Sequence, residues 1–176
     1  MGLRLVLGGA RSGKSAYAQG AAEACARGRG AGLVFVATAE GRDEEMRARI
    51  ARHQADRGSD WRLVETPLDL SGALAAAGPD EVVLVDCLTL WLSNSMLLED
   101  GDGHVRRTEA LLAALAAVRG DVWLVSNEVG WGVAPDNALA RRYRDEAGRL
   151  HQRIAALADE VALVVAGLPL ILKGRP

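Results

Sequence analysis

The sequence predicts an α/β fold in which a mostly parallel central sheet carries helices on both of its faces. Short apolar runs rich in Val and Leu recur along the chain, and each is nearly continuous rather than alternating. Continuous runs of this kind are typical of strands that are buried on both faces of a parallel sheet. Stretches rich in Ala, Arg and Glu separate the runs, and their helical spacing favours a doubly wound α/β domain.

The elements follow in order along the chain. Pro169 lies in the last apolar run and cannot donate to the ladder of a central strand, so this run is expected at the sheet edge. The polar stretch Glu99–His104 is expected to be a solvated connection between helices, with His104 exposed. The predicted strands are Leu3–Leu7, Leu33–Ala37, Val82–Val85, Val122–Val125, Val161–Val165 and the edge run Leu168–Leu172. The predicted helices span roughly 14–27, 42–57, 67–77, 88–98, 105–118 and 136–158.

The length of 176 residues and the net charge of −2 fit one domain covering residues 1–176. Because acidic and basic residues nearly balance, no net positive field would recruit nucleic acid or a membrane surface. No segment resembles a signal peptide or a membrane span, so a cytoplasmic protein is expected. Cys25 and Cys87 are too few for a disulfide framework and are predicted to be free, partly buried thiols.

Lysine is rare in this chain. Of its 21 basic residues only Lys14 and Lys173 are lysine, and the other 19 are arginine. Lys14 stands in a motif that requires a compact point charge, described next. No role is predicted for Lys173.

The segment Gly8-Gly9-Ala10-Arg11-Ser12-Gly13-Lys14-Ser15 fits the pattern GxxxxGK[ST] between a predicted strand and a predicted helix. Glycines let the backbone turn its N–H groups toward phosphate oxygens, and the helix N-terminus adds positive charge. In such a P-loop, Lys14 would reach the β- and γ-phosphates, and the Ser15 hydroxyl could coordinate Mg²⁺. The sequence therefore predicts a P-loop NTPase-type fold that binds a nucleoside triphosphate.

Asp86 follows the apolar run Val82–Val85, where a carboxylate that organises Mg²⁺ is expected. The carboxyl ends of parallel strands border the crevice in which α/β proteins bind their ligands. The alternative is that Asp86 merely caps the next helix, since Asp is a good N-cap residue. The P-loop favours the metal site.

His53 lies on the predicted helix 42–57, with Arg49 one turn before it and Arg57 one turn after it. A neutral imidazole could attack an activated phosphate, and flanking guanidinium groups could stabilise the negative charge. From spacing alone, an ordinary surface helix with a histidine at the edge of its apolar stripe is the favoured interpretation, because arginine is common throughout this chain.

A loop rich in Gly follows the strand Val122–Val125 and contains Asn127, Glu128 and Trp131. Asn127 and Glu128 are placed to contact substrate or to order a metal-bound water. Trp131 is expected to be exposed, where it could stack on a flat ligand or pack at a subunit contact. A purely structural turn anchored by the Trp is the alternative.

The base-reading motif NKxD of the switch GTPases is missing, because neither lysine follows an asparagine. Together these stretches resemble the family of bifunctional adenosylcobinamide kinases / adenosylcobinamide-phosphate guanylyltransferases of cobalamin biosynthesis. The resemblance covers almost the whole chain. It includes GGARSGKS, VATAE, DEEMRARIARHQADR, VDCLT and SNEVGWGVAP.

The resemblance implies two reactions at one nucleotide site. ATP or GTP first phosphorylates the aminopropanol hydroxyl of adenosylcobinamide, and GMP is then transferred from GTP to that phosphate through a guanylylated histidine. That histidine corresponds to His53. Arg52 stands before it where some relatives have a second histidine, and His151 is interpreted as structural. The resemblance also implies a homotrimer. Its nucleotide contacts carry over to the P-loop Gly8–Ser15 and to Ala37, Thr38, Ala39, Gln54, Ala55, Asp56, Arg57, Glu65 and Asp86.

Two other functions remain open from the residues alone. A plain small-molecule kinase would use the P-loop without any covalent nucleotide intermediate. A non-catalytic nucleotide switch would turn over no cobinamide, and the missing NKxD motif argues against it.

Overall fold

The strand that precedes the P-loop lies inside a seven-stranded sheet of order β3-β2-β4-β5-β1-β6-β7. The computed structural model describes residues 2–40, 44, 58, 60–98 and 102–174. Every neighbouring pair of strands is parallel except β6 and β7, which form an antiparallel hairpin at one edge. The strands are β1 (Gly2–Gly8), β2 (Gly32–Ala37), β3 (Trp61–Glu65), β4 (Glu81–Asp86), β5 (Asp121–Asn127), β6 (Glu160–Val165) and β7 (Leu168–Lys173).

Helices cover both faces of the sheet, as predicted. In the described residues they are α1 (Lys14–Arg29), α2 (Leu70–Ala75), α3 (Leu88–Leu97), α4 (Gly103–Ala117) and α5 (Ala138–Leu157). Within α1, Ala18, Ala22 and Ala26 are buried one turn apart, and their small side chains let the helix lie close to the sheet. They pack on residues such as Trp123 of β5. The opposite face buries larger side chains, including Leu124 of β5, under α3, α4 and α5.

The predicted strands are confirmed, including the one at the edge. The predicted helix 42–57 lies, apart from residue 44, outside the described residues. The sequence analysis missed β3. This edge strand exposes Arg62, Leu63 and Glu65, so it lacks the continuous apolar run of a strand buried on both faces.

The expectation that His104 is exposed is wrong. It lies in the first turn of α4 with only 6% of its surface exposed, and its Nε2 is 3.4 Å from Nη2 of Arg142 on α5. Because α4 packs against α5, the side of the first turn that carries His104 is covered.

Both cysteines are free thiols, half-buried at Cys25 and buried at Cys87, as predicted. Within the described residues, no helix combines the length and the apolar character needed to cross a bilayer.

Lys173, for which no role was predicted, closes the carboxyl end of α5. Its Nζ donates to the carbonyl oxygens of Ala155 and Ala156, at 2.9 and 3.1 Å. The last carbonyls of a helix lack intrahelical partners, and a cation there also interacts favourably with the helix dipole.

Asp121 is a buried carboxylate at the start of β5. It accepts hydrogen bonds from Arg4 of β1, at 2.7 Å, and from Arg29 at the end of α1. Burial alone would raise the pKa of Asp121, but the hydrogen bond from Arg4 and the charges of Arg4, the N-terminus and Arg29 together hold that pKa below its usual value. The ionised carboxylate thus ties α1 to the middle of the sheet.

We expect Asp121→Asn to lower the free energy of unfolding by about 2 kcal/mol at pH 7, because two arginines lose a buried anionic partner. A carboxyl whose folded-state pKa is depressed stabilises the protein above its unfolded-state pKa, and this contribution is lost as pH falls through the folded-state value. Urea unfolding at pH 7 and below pH 4 measures both effects. In the exposed pair of Arg144 and Asp145, Asp145→Asn should change stability by less than about 0.5 kcal/mol. Equal effects of the two substitutions would contradict this account of Asp121.

Candidate nucleotide and acceptor site

The loop between β1 and α1 has the backbone of a phosphate cradle. Arg11 and Gly13 both adopt left-handed conformations, with φ of 55° and 93°. A Cβ on Gly13 would also lie 3.0 Å from Cα of Gly167, and one on Gly8 would lie 2.6 Å from the carbonyl oxygen of Val164. Glycine is therefore required at both positions, by conformation at one and by close approach at both.

The hairpin of β6 and β7 supports the P-loop from behind. Its two-residue turn consists of Ala166 and Gly167, with φ of 52° and 78°. The N–H of Gly167 donates to the carbonyl of Ser12 at 2.8 Å. The sequence analysis missed this contact, because Ala166 and Gly167 lie far from the P-loop in the chain and do not form one of the Asn-Gly or Asp-Gly pairs that commonly mark such turns.

Lys14 is 94% buried, and its Nζ donates to the carbonyl of Gly9 at 3.2 Å, so that it spans the loop. The N-cap residue of α1, Gly13, has no side chain to occupy the first helical N–H groups, and the first turn contains no acidic residue. The N-terminus of α1 thus keeps the donors and the positive dipole that suit an anion.

The strand order brings the polar residues of two other strands to the P-loop. β5 lies between β1 and β4, with Asn127 opposite Gly8 and Val125 opposite Asp86. Side chains alternate between the faces of a strand, and Val125 packs in the cluster under α1. Asn127 and Asp86 therefore lie at the carboxyl edge with their side chains on the α1 face, as does the P-loop.

Two buried polar atoms at this edge lack a hydrogen-bond partner among the described residues. They are Oγ of Ser12 in the P-loop and Oδ1 of Asn127 at the end of β5. Buried polar atoms are nearly always paired, so an unpaired one at a binding edge indicates a group that the site receives from outside.

The side chain of Thr38, which follows β2, is hydrogen-bonded to the residue that follows β4. The hydroxyl of Thr38 is fully buried, donates to the carbonyl of Cys87 at 2.7 Å and accepts from its N–H at 2.9 Å. In the sheet register, Ala37 stands between Asp86 of β4 and Glu65 of β3. The fold thus brings these sequence-predicted residues to one row along the carboxyl edge.

On the opposite face, a chain of hydroxyl groups connects the end of β5 to α3 and α5. The N–H of Asn127 donates to Oγ1 of Thr89 at 2.8 Å, and Thr89 Oγ1 lies 3.3 Å from Oγ of Ser126. Ser126 Oγ is 2.7 Å from Nε2 of His151, and Tyr143 donates to the carbonyl of Thr89 at 3.0 Å. His151 is buried and hydrogen-bonded, which agrees with the structural role predicted for it.

Burial controls the protonation of His151 and Tyr143 in this hydrogen-bonded network. It lowers the pKa of His151, while the nearby carboxylate of Glu128 acts in the opposite direction. Burial also raises the pKa of Tyr143 well above its usual value. The imidazole and the phenol are therefore both neutral at pH 7.

The loop after β5 presents an apolar surface at the same edge. Trp131 is 75% exposed, as predicted, and Val133 is 96% exposed. Asn137 ends the loop by capping α5, its Oδ1 accepting from the N–H groups of Leu139 and Ala140. A cavity of about 280 Å³ lies beyond this cap and is lined by Ser93, Met96, Leu97, Asn137, Leu139, Ala140 and Tyr143.

Several residues predicted from the sequence belong to the segment that precedes β3. His53, Arg49 and the predicted nucleotide contacts Gln54, Ala55, Asp56 and Arg57 lie outside the described residues.

Comparison with solved structures supports the fold. The chain superimposes on a KaiC-like protein from Pyrococcus horikoshii with a TM-score of 0.56 at 18% identity, covering 99% of this chain and 79% of that one. It also superimposes on a solved ATPase domain with a TM-score of 0.57 at 14% identity, covering 99% of this chain and 77% of that one. The flagellar accessory protein FlaH from Methanocaldococcus jannaschii gives a TM-score of 0.54 at 13% identity, with 99% of this chain and 79% of that one covered. At this level of identity the likeness shows a common P-loop α/β fold.

Comparison with known sequences identifies the family. The chain is 49% identical over 173 residues to the bifunctional adenosylcobalamin biosynthesis protein CobP of Pseudomonas aeruginosa, covering 98% of both chains. It is 37% identical over 183 residues to the bifunctional adenosylcobalamin biosynthesis protein CobU of Salmonella typhimurium, covering 96% of this chain and 98% of that one. The family model for cobinamide kinase / cobinamide phosphate guanyltransferase matches residues 4–172. The chain therefore belongs to the cobinamide kinase / cobinamide phosphate guanyltransferase family.

Proposed function

We propose that this enzyme phosphorylates adenosylcobinamide with ATP or GTP and then transfers GMP from GTP to adenosylcobinamide phosphate, giving adenosylcobinamide-GDP. The observation that carries the proposal is the P-loop, with Lys14 buried across it and Asp86 on the same face of the sheet. This is a site for the triphosphate that both reactions consume. The identity of the acceptor, adenosylcobinamide, is inferred from the membership of the family.

The P-loop residues bind and orient the phosphates. Backbone N–H groups of Gly8–Ser15 surround the phosphate oxygens, and Lys14 neutralises charge on the β- and γ-phosphates. The hydroxyl of Ser15 and the carboxylate of Asp86 fit Mg²⁺, which prefers oxygen donors and commonly takes only one or two from the protein. When bound, Mg²⁺ would screen the charge of the triphosphate. We take it as the cofactor of both reactions.

In the first reaction the aminopropanol hydroxyl of adenosylcobinamide attacks the γ-phosphorus. The bond from this phosphorus to the oxygen that bridges it to the β-phosphate breaks, and the nucleoside diphosphate leaves. The P-loop contributes by holding the triphosphate in line with the acceptor.

In the second reaction His53 attacks the α-phosphorus of GTP, and pyrophosphate leaves. The phosphate oxygen of adenosylcobinamide phosphate then displaces His53 from the GMP. Arg49 and Arg57 flank His53 in the sequence and suit the charge that develops on the phosphate. The nucleotide would further contact Ala37, Thr38, Ala39, Gln54, Ala55, Asp56 and Glu65.

The corrinoid acceptor is large and flat, and the loop after β5 offers a surface that suits it. Trp131 is exposed in the loop that follows Asn127 and Glu128. An aromatic ring that stays exposed without a ligand can stack on a planar one.

We also propose a homotrimer in the cytoplasm, where nucleoside triphosphates are available. Support for self-association comes from β7, an edge strand on which Leu168, Leu170 and Leu172 are all more than half exposed. Exposed apolar edge strands are usually covered by another part of the protein or by another chain.

The covalent intermediate distinguishes this function from that of a plain small-molecule kinase. Incubation with Mg²⁺ and GTP labelled at the α-phosphate should leave label on the protein that is stable to base and labile to acid, as expected of a phosphoramidate. His53→Ala should lose the label and guanylyl transfer but keep phosphorylation of adenosylcobinamide. His104→Gln, which changes a buried histidine far along the chain, should still label. If the unmodified protein never labels, or if His53→Ala abolishes both reactions equally, the intermediate on His53 is wrong.

Trp131→Ala should raise the KM for adenosylcobinamide about tenfold, corresponding to about 1.4 kcal/mol of lost stacking, and should leave the KM for GTP unchanged. Steady-state kinetics with each substrate varied in turn make this measurement, and the KM for GTP serves as the internal control. An unchanged KM for adenosylcobinamide would exclude Trp131 from the acceptor site.

A further inference from the structure

Glu128 is bonded directly to the P-loop. Its N–H donates to the carbonyl of Gly8 at 3.0 Å, and its Oε1 accepts from the N–H of Gly130 at 2.7 Å. Only 20% of the side chain is exposed. The carboxylate is thus held at the carboxyl edge, one residue beyond β5 and beside the first glycine of the phosphate cradle.

Among the described residues, Glu128 forms no salt bridge with an arginine. Salt bridges to arginine engage Glu81, Asp121 and Glu109, among others. In the part of the chain that the structure describes, the only basic side chain within 4 Å of Glu128 is the imidazole of His151, at 3.9 Å. Within the described residues, therefore, no guanidinium occupies the carboxylate oxygens of Glu128.

The hydrogen bond between His151 and Ser126 determines which protonation state of Nδ1 faces Glu128. Because the imidazole is neutral, only one of its nitrogens carries a proton. If Nε2 accepts from the hydroxyl of Ser126, Nδ1 carries the proton and directs it toward the carboxylate. The opposite tautomer would direct a lone pair at the carboxylate, which is repulsive. At 3.9 Å the imidazole is too far for a hydrogen bond, and it lies beside Glu128 without adding a positive charge.

The contact with His151 places the carboxylate of Glu128 toward the α5 face of the sheet. An in-line displacement requires the attacking oxygen to lie opposite the leaving diphosphate. The P-loop and Asp86 lie on the α1 face, whereas His151, which contacts Glu128, belongs to α5 on the other face. We take the acceptor hydroxyl to enter from the α5 side, where Glu128 lies.

We propose that Glu128 is the general base of the phosphorylation. As the acceptor oxygen forms its bond to the γ-phosphorus, the hydroxyl proton passes to a carboxylate oxygen of Glu128, and the bridging oxygen leaves with the nucleoside diphosphate. The proton returns to solvent after release of the products. This assignment rests on the proposed function.

The two reactions differ in their need for a base. The hydroxyl of adenosylcobinamide carries a proton that it must lose on phosphorylation. The phosphate of adenosylcobinamide phosphate is ionised at pH 7 and attacks through an oxygen that carries no proton. Loss of the base therefore slows the first reaction and spares the second.

The experiment compares Glu128→Gln in the two reactions, with guanylyl transfer started from adenosylcobinamide phosphate so that it bypasses phosphorylation. Gln keeps an oxygen for the N–H of Gly130 and has nearly the same shape. The kcat for phosphorylation should fall about 10²- to 10⁴-fold, the usual range for a general base, while guanylyl transfer should stay within about threefold. Glu128→Asp withdraws the carboxylate by about 1.5 Å and should give an intermediate phosphorylation rate. Glu109→Gln removes an exposed carboxylate paired with Arg153 and should change neither reaction.

Each outcome decides the assignment. A selective loss of phosphorylation in Glu128→Gln supports it. Equal loss of both reactions would make Glu128 structural, and phosphorylation within about threefold of the unmodified enzyme would exclude it as the base. If the unmodified enzyme phosphorylates no adenosylcobinamide, the proposed function fails and not the assignment of Glu128 alone.

Discussion

The backbone of the P-loop depends on a close approach between two distant parts of the chain. Gly8 lies against the carbonyl of Val164, Gly13 lies against Gly167, and the N–H of Gly167 bonds to the carbonyl of Ser12. The hairpin of β6 and β7 thus forms the rear wall of the phosphate cradle. A side chain at Gly8 or Gly13 would clash with the hairpin and displace the P-loop from it.

The position of β5 determines what surrounds the cradle. Because β5 lies between β1 and β4, its end separates the P-loop from Asp86 and presents different groups to the two faces. Asn127 turns an unpaired oxygen toward the α1 face, and Glu128 contacts His151 on α5. One strand end therefore presents a polar side chain to each face of the sheet.

Residues that act through local sequence were predictable, and those that depend on distant contacts were not. The positions of the P-loop and of Asp86 at the carboxyl edge could be predicted because a motif and a strand end mark them. The role of Lys173 at the end of α5, the burial of His104 and the wall formed by Gly167 arise from packing between elements, which spacing along the chain does not reveal. Strand β3 was missed because an exposed edge strand lacks a continuous apolar run. The sites on residues 49 and 53–57 remain sequence-based predictions.

We propose that one phosphate cradle serves both reactions. Lys14→Ala tests it most directly when phosphorylation and guanylyl transfer are measured separately, the latter from adenosylcobinamide phosphate. Because the same ammonium group would neutralise the triphosphate in both reactions, kcat/KM should fall at least about 100-fold in each, or about 2.7 kcal/mol of transition-state stabilisation. If either reaction kept its kcat/KM while the other was lost, the two reactions would not share this site.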